Sequence, residues 1–312
     1  MEIQSIATPA ARVSLPRFPQ ISGLGWAALG VLAFSGTFPA TVLALRGFDA
    51  TVVGAGRSVI AAVIAIGCLI ATRAPLPRRD QLPSLLAVAG GCGIGFGLIS
   101  ALALRHTTST HAAVVVGVLP AATAAWAVIR SGERPRRSFW AASATGAAAI
   151  VVYSLSRGGG RLAPGDPLLL VALMAAAVGY AEGGRLAREM PGWRVIAWGL
   201  VLALPVSLPV TLVAVAHSTA HPTAVATAGF GYVAVISVFL GFFAWYRGLA
   251  EAGVARASQL QLAQPLLTIA WSMPLLGEHV GPDALLTACI VIVCVLVTQR
   301  SRPAAVPALV AR

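Results

Sequence analysis

Long apolar runs, separated by short polar breaks, make up most of this chain. There are ten such runs, at 22–45, 51–72, 82–104, 111–130, 138–156, 167–187, 194–216, 224–246, 256–276 and 281–299. An α-helix needs roughly 20 apolar residues to cross ~30 Å of hydrocarbon. The runs do not alternate apolar and polar residues, as the strands of a membrane barrel do. The pattern therefore predicts an all-α polytopic membrane protein with ten transmembrane helices.

The charged residues predict how these helices are oriented. The formal net charge is +12, and all 22 basic residues are arginine. With a cytoplasmic N-terminus, seventeen arginines lie on the inner side, and Arg57 lies within the second run. The outer side holds only Arg46, Arg105, Arg157 and Arg161. This positive-inside bias predicts cytoplasmic N- and C-termini. It also explains the charge without a nucleic-acid partner, which we do not expect.

The sequence contains an internal repeat with an offset of 145 residues. Segment 120–133 matches segment 265–278 at Pro120/Pro265, Thr123/Thr268, Ala125/Ala270, Trp126/Trp271, Gly132/Gly277 and Glu133/Glu278. Five runs separate a position from its copy. Because five is odd, the two halves must face opposite sides of the membrane. The loop 131–139 is rich in arginine and its copy 276–284 has none, as this inversion requires. We predict a five-plus-five inverted repeat, an arrangement common in transporters.

The repeat defines the expected domain organisation. We predict a first repeat at 22–156 with helices 1 to 5, and a second at 167–299 with helices 6 to 10. Residues 1–21 are expected to be a disordered cytoplasmic tail, because they carry prolines and arginines and lack the apolar core of a signal peptide. Residues 300–312 are expected to form a second cytoplasmic tail.

Catalytic motifs are absent from the sequence. It contains no HExxH, GxSxG or Walker A pattern, so we expect neither an enzyme nor a cofactor or metal. The glycine-rich stretch 90–97 lies inside an apolar run instead of after a strand. Its pairs Gly91/Gly95 and Gly93/Gly97 favour close helix packing over dinucleotide binding.

Several motifs resemble those of the EamA-type drug/metabolite transporter superfamily. They are FSGTFPATVLAL in run 1, Arg57 in run 2, ALALRHTTSTHAAVVVGVLPAATAAWAVIRSGERP and FAWYRGLAEAGVARASQLQLAQPLLTIAWSMPLLGEHVGP. The resemblance covers about 22–299 and implies a ten-helix carrier of small metabolites in the bacterial inner membrane. Size and layout most resemble amino-acid exporters of the YddG type, which handle aromatic and other neutral amino acids. Many relatives have Glu before the second-repeat proline, whereas this chain has Gln264, so a mechanism needing that carboxylate does not carry over.

Polar residues at membrane depth are the candidates for substrate binding, because they are costly there. In run 9, Gln261 and Gln264 share a helix face, and Pro265 frees the carbonyl of Gln261. An amide can both donate to a carboxylate and accept from an ammonium group. The alternative is that these amides hydrogen-bond neighbouring helices.

Runs 1 and 6 contribute a second set of candidates. Glycine and proline near Ser35 and Thr37 predict a loosened helix, and unwound backbone often binds substrate in transporters. Run 6 places Tyr180 and Glu182 at the matching depth. Glu182 could bind a substrate amine or a proton, or it could form an i,i+3 ion pair with Arg185.

Aromatic and basic candidates complete the set. The rings that could stack on a flat substrate or its ammonium belong to Phe38, Trp126, Tyr180 and Trp271. The repeat-related Trp126 and Trp271 could flank one cavity, or they could pack in the core. Arg57 could attract a carboxylate or extend to the outer interface. His111, at the outer start of run 4, is expected to be a solvated residue at a loop edge.

These observations predict an alternating-access carrier that exports small neutral or aromatic amino acids through a cavity between the inverted repeats. The expected partners are the small-molecule substrate and the lipid bilayer, and the sequence does not determine the oligomeric state, although a monomer is compatible with it. One alternative is a carrier of the same fold for cationic drugs or other metabolites. Nucleotide-sugar-like cargo is disfavoured, since it would need two or more basic residues in the cavity. An alternative of another class is a membrane scaffold that transports nothing.

Overall fold

The computed structural model of the chain describes residues 21–131, 137–157, 161–252 and 260–300. Apart from residues 21 and 300, both predicted tails lie outside these ranges. Within these described ranges, eight helical segments are long and apolar enough to cross a membrane. We name them spans 1 to 8: Gly23–Leu45, Ala50–Ala71, Arg79–Ala103, Ser109–Arg130, Arg137–Ser156, Gly165–Leu186, Gly192–His217 and Ala224–Ala252. They correspond to the first eight predicted helices.

Of the remaining two predicted helices, helix 9 is described in part and helix 10 lies wholly within the described residues. A short 3₁₀ turn at Gln261–Ala263 leads into an α-helix at Gln264–Leu276. The last helix is Pro282–Arg300, of which Pro282–Val297 is apolar. Residues 253–259, at the start of predicted helix 9, lie outside the described part of the chain.

Several spans consist of more than one helical piece. Span 1 comprises Gly23–Ser35 and Thr37–Leu45, span 3 comprises Arg79–Gln81, Leu82–Val88, Ala89–Gly95 and Phe96–Ala103, span 4 comprises Ser109–Val116 and Leu119–Ser131, and span 8 comprises Ala224–Gly231, Tyr232–Gly241 and Phe242–Ala252. Span 5 belongs to helix Arg137–Arg157. Spans 6 and 7 are single helices.

Span 1 is interrupted where its sequence predicts a loosened helix. Gly36 separates the two pieces, and Pro39 cannot donate to the carbonyl of Ser35 because proline has no N–H. That carbonyl instead accepts a hydrogen bond from Thr268 Oγ1 at 2.8 Å. The break in span 1 is thereby joined to helix Gln264–Leu276 of the second repeat.

Spans 3 and 8 share a wide helical turn at equivalent positions. Ala89–Gly95 and Tyr232–Gly241 both have π-helical geometry. Adding the repeat offset of 145 places the first segment at 234–240, inside the second. π-helical turns are rare overall, and many of them lie at functional sites. The two turns occur at positions 145 residues apart, so this part of spans 3 and 8 is a candidate functional region.

Several helix contacts recur between positions related by the 145-residue offset. Spans 3, 4 and 6 form one group, and spans 8 and 1 pack with helix Gln264–Leu276 as its counterpart. Span 2 packs against its own counterpart, span 7, and helix Arg137–Arg157 packs against helix Pro282–Arg300. Glycines allow the closest approaches: a Cβ on Gly30 would lie 2.9 Å from the Trp245 backbone, and one on Gly91 would lie 3.0 Å from Gly179. The predicted packing role of Gly91 is consistent with this contact.

Candidate functional site

Two adjoining cavities lie where the two groups of spans meet. We call the first the aromatic cavity; its lining residues are Phe34, Thr37, Phe38, Arg57, Cys92, Phe96, Val116, Leu119, Ala176, Tyr180, Ser237, Val238, Phe242 and Gln264. We call the second the amide cavity; its lining residues are Phe38, Ala113, Val116, Gly117, Leu119, Pro120, Gln261, Gln264, Pro265 and Thr268. Both repeats contribute to each cavity.

Six of the ten candidate residues predicted from the sequence line these cavities. Phe38 and Gln264 line both. Thr37, Arg57 and Tyr180 line the aromatic cavity, and Gln261 lines the amide cavity. The break in span 1 brings Thr37 and Phe38 to this position, since they begin the second helical piece immediately after Gly36.

The two tryptophans and Ser35 lie outside both linings. Trp271 is 41% exposed, and its Nε1 donates to Ser35 Oγ at 3.1 Å. Trp126 is half-buried, and its Nε1 has no hydrogen-bond partner. The repeat-related pair therefore does not flank either cavity, because the rotation of each helix about its axis is set by packing that the repeat pattern does not reveal.

Glu182 is engaged in an ion-pair network and is not among the lining residues. Its carboxylate lies 3.2 Å from Arg130 Nε and 3.4 Å from Arg185 Nε. Ser84 Oγ donates to the same carboxylate at 2.6 Å. The predicted i,i+3 pair with Arg185 is present, and the network ties spans 3, 4 and 6 together.

Arg57 occupies the wall of the aromatic cavity without a counter-ion. The residue is 2% exposed, so it does not extend to the membrane interface. Its Nε and Nη1 have no hydrogen-bond partner, and no carboxylate in the described part of the chain forms an ion pair with it. The guanidinium carbon lies 5.9 Å from the centre of the Phe96 ring.

The two glutamines also have unused polar atoms. Gln261 Nε2 and Gln264 Oε1 are buried and lack partners. The Gln261 carbonyl, which the sequence predicts to be free, accepts from the Gln264 N–H in the 3₁₀ turn. The ligand-binding capacity of this segment therefore lies in the side-chain amides.

Some lining residues have no distinctive sequence signal. Ser237 Oγ and Thr37 Oγ1 lie 2.7 Å apart and join spans 1 and 8. Phe34 and Phe242 pack edge-to-face with ring centres 4.9 Å apart. Hydroxyl and phenyl groups are common in membrane helices, so composition could not select them. Under the repeat offset Ser237 corresponds to Cys92, and both line the aromatic cavity.

His111 differs from its predicted environment. It is 7% exposed, and its Nε2 lies 2.6 Å from Asp166 Oδ1. Its ring stacks on Tyr153 with centroids 5.1 Å apart. The expectation of a solvated loop-edge histidine was wrong, because the partner on span 6 is 55 residues away in the sequence.

Comparison with known proteins identifies the class. The model of the EamA-like transporter family matches the chain twice, at residues 21–155 and 163–299. A Bacillus subtilis (strain 168) protein described as "Uncharacterized transporter YdeK" is 42% identical over 272 residues, which cover 87% of this chain and 95% of that protein. A protein of known crystal structure shares the fold with a TM-score of 0.62 and 20% identity, covering 90% of this chain and 99% of its own.

The apolar spans and these matches define a multi-pass membrane transporter, and not an enzyme. The chain belongs to the EamA-like transporter family. The resemblance inferred from the sequence motifs is confirmed at the level of the family. Specificity of the YddG type for aromatic amino acids stays a prediction.

Proposed function

We propose that this chain is an alternating-access carrier of the bacterial inner membrane that exports small neutral and aromatic amino acids. The proposal includes ten membrane helices in two inverted repeats, with both termini in the cytoplasm. Two observations support it: the π-helical turns at equivalent positions of spans 3 and 8, and helix contacts that recur at the repeat offset. Two related halves with a cavity between them can rock against each other and expose that cavity to either side in turn. The outward direction rests on the resemblance to exporters.

The lining of the aromatic cavity is the observation that supports the proposed substrate class. Five rings line it, from Phe34, Phe38, Phe96, Tyr180 and Phe242. Such rings favour a flat or apolar side chain through offset and edge-to-face contacts. The unpaired Oε1 of Gln264 is an acceptor suited to an ammonium group. A small amino acid with an apolar side chain fits this chemistry best.

The other cargo classes fit the lining less well. No aspartate or glutamate is among the residues that line the two cavities, so a cationic drug would find no carboxylate. A nucleotide sugar carries two phosphates, and Arg57 is the one basic side chain in these linings. A scaffold would gain nothing from unpaired polar atoms in an internal cavity, which are costly to maintain.

Counterflow in proteoliposomes tests the proposal. Vesicles containing purified protein are preloaded with unlabelled phenylalanine, methionine, a quaternary amine or a nucleotide sugar, and the matching labelled solute is added outside. We expect label to accumulate with the amino acids only. Accumulation with the amine or the sugar alone would show that the cargo belongs to that class and is not an amino acid. No accumulation of any solute would contradict the carrier function.

A matched pair of variants assigns the transport to the cavity. Phe38→Ala removes a ring from both cavities and is expected to slow exchange at least tenfold. Phe48→Ala removes a ring that packs against Phe230 instead, with centroids 5.3 Å apart. It is expected to exchange at the rate of the unmodified protein. Equal rates for the two variants would place the substrate path elsewhere.

A further inference from the structure

Arg57 differs from Glu182 and Asp166, the other buried charged side chains in the described part of the chain. The buried carboxylate of Glu182 is paired with two arginines. Asp166 is paired with His111 and accepts from the N–H of Ala163 at 2.9 Å. The Arg57 guanidinium is equally buried, and its Nε and Nη1 are unbonded.

The fold makes specific room for this guanidinium. A Cβ placed on Gly97 would lie 2.5 Å from Arg57 Nε and 2.9 Å from its Cζ. Any residue larger than glycine at position 97 would therefore displace the guanidinium. On another side, the Phe96 ring lies under it at 5.9 Å. The side chain is held in place by packing, although neither Nε nor Nη1 donates a hydrogen bond within the described part of the chain.

A buried charge without a partner is unfavourable unless something supplies the opposite charge. The residues lining the cavities do not, because none of them is acidic. A guanidinium binds a carboxylate through two parallel hydrogen bonds, which is a favourable geometry for a charged pair. A carboxylate on the ligand would therefore supply the counter-ion that the lining residues do not provide.

We infer that the carboxylate of the substrate is the counter-ion of Arg57, so that the carrier requires a carboxylate and does not require an amine. This inference deepens the proposed function and rests on transport through the aromatic cavity. It makes Arg57 the residue that determines the charge class of the cargo. The cargo is then an organic carboxylate with an apolar or aromatic body, and amino acids are one subset of that class.

Three ligands of matched shape test the requirement. Binding of phenylalanine, 3-phenylpropionate and 2-phenylethylamine to the purified protein is measured by calorimetry. We expect the first two to bind and the amine, which lacks the carboxylate, to bind at least 100-fold more weakly. Binding of the amine with an affinity equal to that of 3-phenylpropionate would overturn the inference, as would failure of both carboxylates to bind.

The same panel separates this inference from the proposed function. If 3-phenylpropionate binds and phenylalanine does not, the amino-acid assignment fails while the carboxylate requirement stands. If phenylalanine and 2-phenylethylamine bind while 3-phenylpropionate does not, an amine-binding carrier remains and the role of Arg57 is refuted.

Substitution of Arg57 distinguishes ligand binding from a structural role. Arg57→Gln is expected to lose about 100-fold in affinity for 3-phenylpropionate, because the carboxylate would be buried without a cation. Without ligand, this variant is expected to be at least as heat-stable as the unmodified protein, since it lacks an unpaired buried charge. Arg105→Gln removes an exposed outer arginine and should leave affinity unchanged. Arg57→Gln with reduced stability and unchanged affinity would show a structural arginine and overturn the inference.

Discussion

Polarity alone does not distinguish a binding residue from a structural one in this chain. Arg57 and Glu182 are both buried and both charged. Glu182 has three partners in the protein, whereas two of the nitrogen atoms of Arg57 have none. The unfilled hydrogen-bonding capacity, and not the charge, points to a ligand.

The room that Gly97 leaves for Arg57 gives a prediction at a single residue. Gly97→Ala places a methyl group 2.5 Å from Arg57 Nε, so the guanidinium must shift away from its present position. We expect affinity for 3-phenylpropionate, measured by calorimetry, to fall roughly tenfold, or ~1.4 kcal/mol. Gly67→Ala is the control, because a Cβ there meets nothing within 4 Å. Equal affinities for the two variants would contradict the position assigned to the guanidinium.

Gln264 gives a second prediction at the residue scale. Its amide is assigned to the ammonium group of an amino acid, so Gln264→Leu should weaken phenylalanine binding by about 2- to 12-fold, the range for one hydrogen bond. Affinity for 3-phenylpropionate should not change, because that ligand has no ammonium. The pair of titrations contains its own control. An equal loss for both ligands would mean that the amide binds the carboxylate or supports the helix.

At the scale of the elements, one of the contacts between the two halves of the chain lies at the start of span 4. The Glu278 carboxylate accepts from the N–H groups of Ser109 and Thr110, both at 2.8 Å. Ser272 Oγ donates to Ser109 Oγ at 2.9 Å. Gly277, with φ 69°, provides the left-handed turn that ends helix Gln264–Leu276 just before Glu278. A carboxylate at a helix N-terminus is favoured by the helix dipole as well as by its hydrogen bonds.

This contact predicts a loss of stability on substitution. Glu278→Gln keeps one acceptor oxygen and loses the charge, so one of the two N–H groups loses its partner. We expect the free energy of unfolding to fall by about 1–3 kcal/mol, measured by denaturation in detergent micelles. The exposed neighbour His279→Gln should change it by less than ~0.5 kcal/mol. Equal stabilities would mean that Glu278 does not hold the repeats together.

The elements differ in how well the sequence predicts them. Spans such as Ala50–Ala71 follow from hydropathy, because the thickness of the bilayer imposes their length. The break at Gly36 has a local cause in glycine and proline. The π-helical turn Tyr232–Gly241 has no such cause in its own sequence. It depends on the fit of span 8 against its neighbours, which only the assembled fold defines.

The residues of the candidate site also divide into those that the sequence predicts and those that depend on the assembled fold. Gln264 and Arg57 could be predicted because polar groups are conspicuous inside apolar runs. Aromatic chemistry and the repeat together suggest a cavity role for Trp126 and Trp271, but both lie outside the two linings because helix rotation depends on tertiary packing. The pairing of His111 with Asp166 links distant positions and could not be read from either one.

At the scale of the whole molecule, the account predicts one cavity used from both sides of the membrane. Span 2 packs against span 7, and spans 3, 4 and 6 pack opposite their counterparts; in the proposed function, these two groups move relative to each other. Cys92 lines the aromatic cavity and offers a native chemical probe within it. The sequence has three other cysteines, Cys68, Cys289 and Cys294, which can be replaced by serine or alanine.

Modification of Cys92 from each side is the most direct test of the central claim. The variant that retains only Cys92 is reconstituted in one orientation and treated with a membrane-impermeant anionic methanethiosulfonate, first from outside and then from inside. Alternating access predicts modification from both sides, slowed at least several-fold by saturating phenylalanine. Modification from neither side, or rates that phenylalanine leaves unchanged, would contradict a carrier that works through this cavity.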